Sequence, residues 1–344
     1  MLSRLVPLAA RLAAVTATTA LAVTVAAHGP VPARWAEVAD ALTPLAGHFL
    51  IGGCAAFLAC LFPRRALGLM TAGVTIALLG HAELAISSQQ SWHPTAMAAH
   101  ATAAEPQRSL RVYSLNVWDH HPDLDRLEHA VAAVDADIVV LAETDRSKIA
   151  MLERLKSQFP YQVSCSNRAE CGMAILSRLP ILNGDAGRAR YDVPPIAWAR
   201  VDAARYGLGI VTVVGTHVHR PTRSPALHAK QIASLEAMLR QQSGPMIVAG
   251  DFNTSPWSAS FQDLMRTTGL VPFARLLPTW PAAPLLAPQF AIDHIFVSPD
   301  LAFTRTGLGP ATGSDHMPVI AEIGARIGRI TAKPAVALKG SPAN

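Results

Sequence analysis

IVVLAETD, residues 138–145, is an unbroken apolar run that ends on a carboxylate. Ile138 to Ala142 is short, apolar at every position and β-branched in its first three residues, the pattern of a strand covered on both faces. A strand covered on both faces lies inside a layered sheet protein, and Glu143 falls at its end, where such proteins commonly build their sites. Working outward, Leu110–Val117 reads as a second strand. Between the two, Asp123–Val134 places Leu124, Leu127, Ala130, Val131 and Val134 at helical spacing. Ile149–Phe159 reads as a helix, and Met173–Ser177, Ala197–Asp202 and Leu208–Thr216 as strands. A helix over Ser224–Gln241 and strands at Met246–Ala249, Ala291–Ser298 and Val319–Ile323 complete the series. Many strands with a few interleaved helices imply an α/β protein of two packed sheets covered by helices.

Polar residues cluster where these strands end or begin. Asn116 closes Ser114-Leu115-Asn116, Glu143 follows Ala142, and His217 ends the strand over Val211–Thr216. Gly250-Asp251-Phe252-Asn253 follows Met246–Ala249, Asp293 opens the next strand, and Ser314-Asp315-His316 precedes the last. Taken singly, each is an ordinary cap or turn, since Gly, Asp and Asn are turn formers. Taken in order they are much more specific.

The ordered set resembles the endonuclease/exonuclease/phosphatase superfamily, whose best-known fold is deoxyribonuclease-I-like. The motifs that carry the resemblance are Leu115-Asn116-x-Trp118, Glu143, Thr216-His217, Gly250-Asp251-x-Asn253, Ile292-Asp293 and Ser314-Asp315-His316, spread over about residues 108–324. It implies a four-layer α/β sandwich, two central β-sheets flanked by helices. It also implies a phosphoester hydrolase using Mg²⁺, with Mn²⁺ as a substitute. Glu143 is then the principal metal ligand, with Asn116 and Asp315 completing or supporting the site. Asp251 orients or deprotonates the attacking water, Asn253 donates its amide to the phosphate, and His316 contacts the scissile group. Asp293 holds that imidazole, and His217 partners the leaving oxygen. Hard oxygen ligands with few carboxylates suit Mg²⁺, which retains waters and binds phosphate.

The first 88 residues read differently. The chain is 51% hydrophobic and 15% charged, with mean hydropathy +0.27, and the apolar excess is concentrated at this end. Apolar stretches at about 5–27, 42–62 and 66–86 read as two or three transmembrane helices, the latter two near the roughly 20 residues a bilayer requires. The first also fits a cleavable signal peptide. Pro63-Arg64-Arg65 between the other two marks the cytoplasmic side. A multi-pass protein of the cell (inner) membrane is expected, its catalytic domain extracytoplasmic. Residues 89–107 read as a linker, 108–324 as the catalytic domain and 325–344 as a flexible tail. Cys165 and Cys171 flank a short polar segment that a disulfide can close in an oxidising compartment.

The net charge of +5 is accounted for in part by these topology signals, and the cations form no dense patch that would argue for nucleic acid. Arg220 and Arg223 read as a phosphate grip or as solvated loop residues. Ser255 and Trp257 read as a wall of the Asp251 loop, and His219, His228 and His294 as structural. The substrate expected is a phosphodiester: nucleic acid, lipid head group or small diester, with no protein partner. A lipid head-group phosphodiesterase or phosphatase is an alternative within the enzyme class, and a catalytically silent receptor for phosphorylated ligands is the alternative outside it.

Overall fold

The computed structural model describes residues 32–43, 109–168, 170–187, 190–273, 276–282 and 290–326. Most of the expected membrane region, the linker and the tail beyond Arg326 lie outside the described residues. Among the described residues no helix is long and apolar enough to cross a membrane.

The elements are α1 (Ala33–Leu42), β1 (Leu110–Asn116), α2 (Leu124–Ala132), β2 (Ile138–Ala142), α3 (Ile149–Leu155), β3 (Tyr161–Ser164), β4 (Met173–Ser177), β5 (Ile181–Gly187) and β6 (Ile196–Asp202). They continue with β7 (Ile210–His217), α4 (Pro225–Leu239), β8 (Met246–Asp251), α5 (Ala259–Thr268), β9 (Val271–Pro272), β10 (Asp293–Val297), β11 (Leu301–Leu308) and β12 (Val319–Ala325). Two six-stranded sheets form, ordered β11-β12-β1-β2-β4-β3 and β5-β6-β7-β8-β10-β9.

Side-chain alternation along each central strand explains the layers. Val112, Ile138, Val140 and Met173 of the first sheet face Val213, Ile247, Ala249 and Ile295 of the second, in one core between the sheets. The opposite face of the first sheet, with Tyr113, Leu115, Val139 and Leu141, packs on Leu127 and Val131 of α2 and Met151, Leu152 and Leu155 of α3. Val214, Val248 and Phe296 of the second sheet pack on Ile232 and Leu235 of α4 and Phe261 and Leu264 of α5. The result is helix, sheet, sheet, helix, as the sequence pattern implied. The sheets approach closely at Gly215, where an added Cβ would lie 2.8 Å from Val140 Cγ1.

Three helices begin on side-chain caps: Asp123, Ser224 and Ser258 accept from the backbone N–H of Arg126, Leu227 and Phe261. Cys165 and Cys171 form a disulfide with Cα atoms 5.8 Å apart. It closes the connection between β3 and β4.

Candidate active site

Strand register assembles the site. In the second sheet, His217 at the end of β7 pairs with Asp251 at the end of β8, and Asp251 pairs across with Asp293 at the start of β10. In the first sheet, Asn116 at the end of β1 pairs with Ala142, which Glu143 follows. β1 also lies against β8 and β10, so both rows of strand ends meet. Asn116 spans the seam: its Nδ2 donates to Glu143 Oε1 at 2.9 Å and to Asp251 Oδ2 at 3.1 Å. Its own Oδ1 accepts from the Trp118 N–H at 3.0 Å, which fixes the amide orientation. Asn116 therefore ties together two carboxylates, one from each sheet.

Glu143 receives a second donor, the Asp119 N–H, at 2.7 Å on Oε2. That backbone is steadied from below, because the fully buried Lys148 donates to the Asp119 carbonyl. Glu143 itself has φ 61 and Asn253 φ 50, left-handed backbone that costs a non-glycine residue roughly 1 kcal/mol or more and recurs at functional sites. Gly250 is required beside them: at φ +143, a Cβ there would lie 1.9 Å from the Thr216 carbonyl oxygen.

His316 arrives from the loop before β12. Ser314 Oγ donates to the Asn116 carbonyl at 2.7 Å and accepts from the His316 N–H at 3.0 Å, stitching this loop to β1. His316 Nδ1 bonds Asp293 Oδ2 at 2.7 Å. Its Nε2, although fully buried, has no hydrogen-bond partner among the described residues and lies 3.8 Å from Asp251 Oδ2. His217 Nε2 stands 3.6 Å from the same oxygen and 3.7 Å from Glu143 Oε1. Asn253 donates its backbone N–H to Asp251 Oδ1 at 2.8 Å and one amide hydrogen to the Val218 carbonyl at 3.0 Å, leaving one amide hydrogen for another acceptor.

Burial and charge set the protonation states. Burial opposes ionisation of Glu143, but His217, the Asn116 amide, the Asp119 N–H and His316 outweigh it and hold the carboxyl below its ordinary range. Asp251 moves the other way, raised first by burial and then by Asp293, with His316 and His217 opposing. Burial also disfavours a charged His316, yet Asp293, Asp251 and Asp315 prevail and push it up to about 9. An ionised Glu143, a basic Asp251 and an imidazolium with a free N–H thus share one centre.

A cavity of about 880 Å³ opens over this centre, bordered by Glu143, His217 and Asp315, with Arg146, Arg168, Arg220 and Arg223 around it. Arg220 and Arg223 therefore face the site. Asp315 joins it through Trp280, whose Nε1 donates to Asp315 Oδ2 at 3.2 Å. Trp257 instead turns its indole N–H to the Thr43 carbonyl. His294 is buried in an aromatic cluster with Phe252, Phe261 and Phe296, and the His228 ring bonds the His219 carbonyl. Both are structural. Lys148, Arg146, Arg168 and Trp280 carried no signal in the sequence reading, since each acquires its place only when distant loops converge.

The donor chemistry fits a hard divalent cation. Glu143 and Asp315 present carboxylates to an open cavity that four arginines also border. Asp251, Asp293 and His316 also bring ligand-capable atoms within 4.8 Å of one another. In that group Asp293 Oδ2 and His316 Nδ1 are bonded to each other, while Asp293 Oδ1 and His316 Nε2 have no hydrogen-bond partner among the described residues.

A family model described as "Endonuclease/Exonuclease/phosphatase family" matches residues 113–316. No curated protein matches the chain by sequence. Similar solved structures include an endonuclease/exonuclease/phosphatase from Beutenbergia cavernae (21% identity, TM-score 0.52, covering 63% of this chain and 72% of that one). Another is D. rerio TDP2 complexed with single strand DNA product (15% identity, TM-score 0.53, covering 63% and 99%). A third is from Bacteroides vulgatus (17% identity, TM-score 0.52, covering 63% and 99%). At these identities the likeness shows the fold.

Proposed function

The chain belongs to the endonuclease/exonuclease/phosphatase family, and on that premise we propose that it is a divalent-metal-dependent phosphodiesterase of nuclease type. The observation that carries this reading is the buried His316 imidazole, paired at Nδ1 with Asp293 and presenting an unpartnered Nε2 beside Asp251. A buried cationic donor with nothing to bond awaits an anion.

Glu143 and Asp315 would hold Mg²⁺ or Mn²⁺, with Asn116 fixing Glu143 in position. When bound, the cation supplies charge neutralisation at the phosphoryl and leaving oxygens. The protein's own residues do the rest. His316 donates from Nε2 to a phosphoryl oxygen, and Asp293 holds the ring in the tautomer that makes this possible. Asp251, its carboxyl made more basic by burial and Asp293, takes a proton from the attacking water. The remaining amide hydrogen of Asn253 serves the phosphate. His217, between Glu143 and Asp251, attends the leaving oxygen.

We further place the enzyme on a membrane, with its catalytic domain outside the cytoplasm. What supports this is the pair of apolar stretches at about 42–62 and 66–86 flanking Pro63-Arg64-Arg65.

The full chain in nanodiscs, with Mg²⁺ and bis(4-nitrophenyl) phosphate, tests the proposal. Turnover is expected, and Glu143→Ala and His316→Ala should each lower kcat/KM by at least ~100-fold. Tight binding of the diester with no turnover would instead make the chain a receptor.

A further inference from the structure

Helix α1 precedes the stretch that matches the family, yet it packs against α4 and is tied to the site. Asp40 accepts the backbone N–H of Ala259 at 2.6 Å and of Ser260 at 3.3 Å, at the positive end of α5. Trp257 donates to the Thr43 carbonyl at 2.6 Å, and Thr43 Oγ1 donates back to the Asp40 carbonyl at 2.7 Å. Ala39 and Ala41 are buried by this contact. The clamp grips residues 257–260, just beyond Asn253.

Ala41 of α1 walls a second cavity, of about 240 Å³, which His316 also lines. Ala41, Pro221, Trp280, Phe290 and Ile292 make it apolar, while His316 and Asn253 open onto it and Arg220 borders both cavities. Two cavities thus adjoin the reacting centre, a large one lined by both carboxylates and arginines and a small, mostly apolar one, with Arg220 common to both. A space of this size accommodates one aromatic ring or a short alkyl group, and dry walls favour such a group over water. Arg220, Asn253 and His316 at its mouth are suited to the phosphate from which that group hangs.

We propose that α1 is a wall of the substrate site, and that the cavity it lines receives an apolar substituent of the phosphodiester, with Ala41 setting its size. The inference rests on the hydrolase reading of the same centre and adds which kind of diester it selects. Asp40 is a positioning residue, acting through the clamp.

The full chain in nanodiscs with Mg²⁺ is assayed on three 4-nitrophenyl phosphodiesters whose second substituent is methyl, phenyl or hexyl. Burying the larger group should favour phenyl or hexyl over methyl by at least tenfold in kcat/KM; which of the two wins tells a flat ring from a lipid-like chain. Ala41→Phe, which fills the cavity, should bring that ratio to within about threefold, chiefly through KM. Asp40→Ala, which unties α1 without adding bulk, should lower the same ratio. Turnover without a size preference in the native chain, or a preference that survives in both variants, overturns the inference alone. No turnover on any of the three overturns the hydrolase reading and this inference with it.

Discussion

Asp293 and His294 are consecutive, yet β10 turns them to opposite faces with opposite consequences. Asp293 faces the site and keeps His316 protonated; replacing its charge with Asp293→Asn should lower kcat by roughly 100-fold with a smaller change in KM, because the imidazole loses both orientation and charge support. Equal loss in KM alone would mean that Asp293 serves binding only. His294 faces aromatic rings, where burial lowers it from 6.5 to about 4. Between these values an unfolded chain takes up a proton that the folded one refuses, so the fold loses stability as pH falls from 6.5 towards 4. The loss attributable to this residue reaches about 3 kcal/mol. Denaturation of the native chain and His294→Phe at pH 7 and pH 5 isolates it: the stability gap should shift in favour of the variant at pH 5, and a gap independent of pH would refute the assignment.

Elements differ in how visibly they are written. The central strands β1, β2, β4, β7, β8 and β10 are all legible, because a strand covered on both sides is apolar along most of its length. The strands not foreseen were β3, β5, β9 and β11, which are the edges of the two sheets. β5, ILNGDAG, contains residues that signal turns, and its exposed positions tolerate them. α1 and α5 carry no comparable pattern in the sequence, and α1 borders the apolar stretch at about 42–62. The site residues themselves were legible because they end legible strands, whereas the left-handed backbone at Glu143 and Asn253 was not. The disulfide is an element-scale device: Cys171 borders the catalytic cavity and neighbouring Gly172 accepts the Thr144 N–H at 2.9 Å, next to Glu143. Replacing both Cys165 and Cys171 by serine should cost about 2 kcal/mol of stability and raise the Mg²⁺ concentration needed for half-maximal activity. Unchanged values in both measurements would show the bridge to be incidental.

At the scale of the molecule, two sheets bring carboxylates from β2, β8 and β10 and from the last loop to one point, a concentration of negative charge that a cation relieves. Mg²⁺ should therefore raise the melting temperature of the native chain, and Glu143→Ala should abolish that rise; a rise retained in the variant would place the ion elsewhere. The docking of α1 has a consequence of another kind. Thr43 and Ser109 belong to one folded body, so α1 and the two sheets lie on the same side of any barrier the chain meets. In a chain carrying Cys54→Ala and Cys60→Ala, single cysteines at Trp35 and at Tyr191, 56% and 69% exposed, should react with an impermeant maleimide from the same side of sealed vesicles, never from opposite ones.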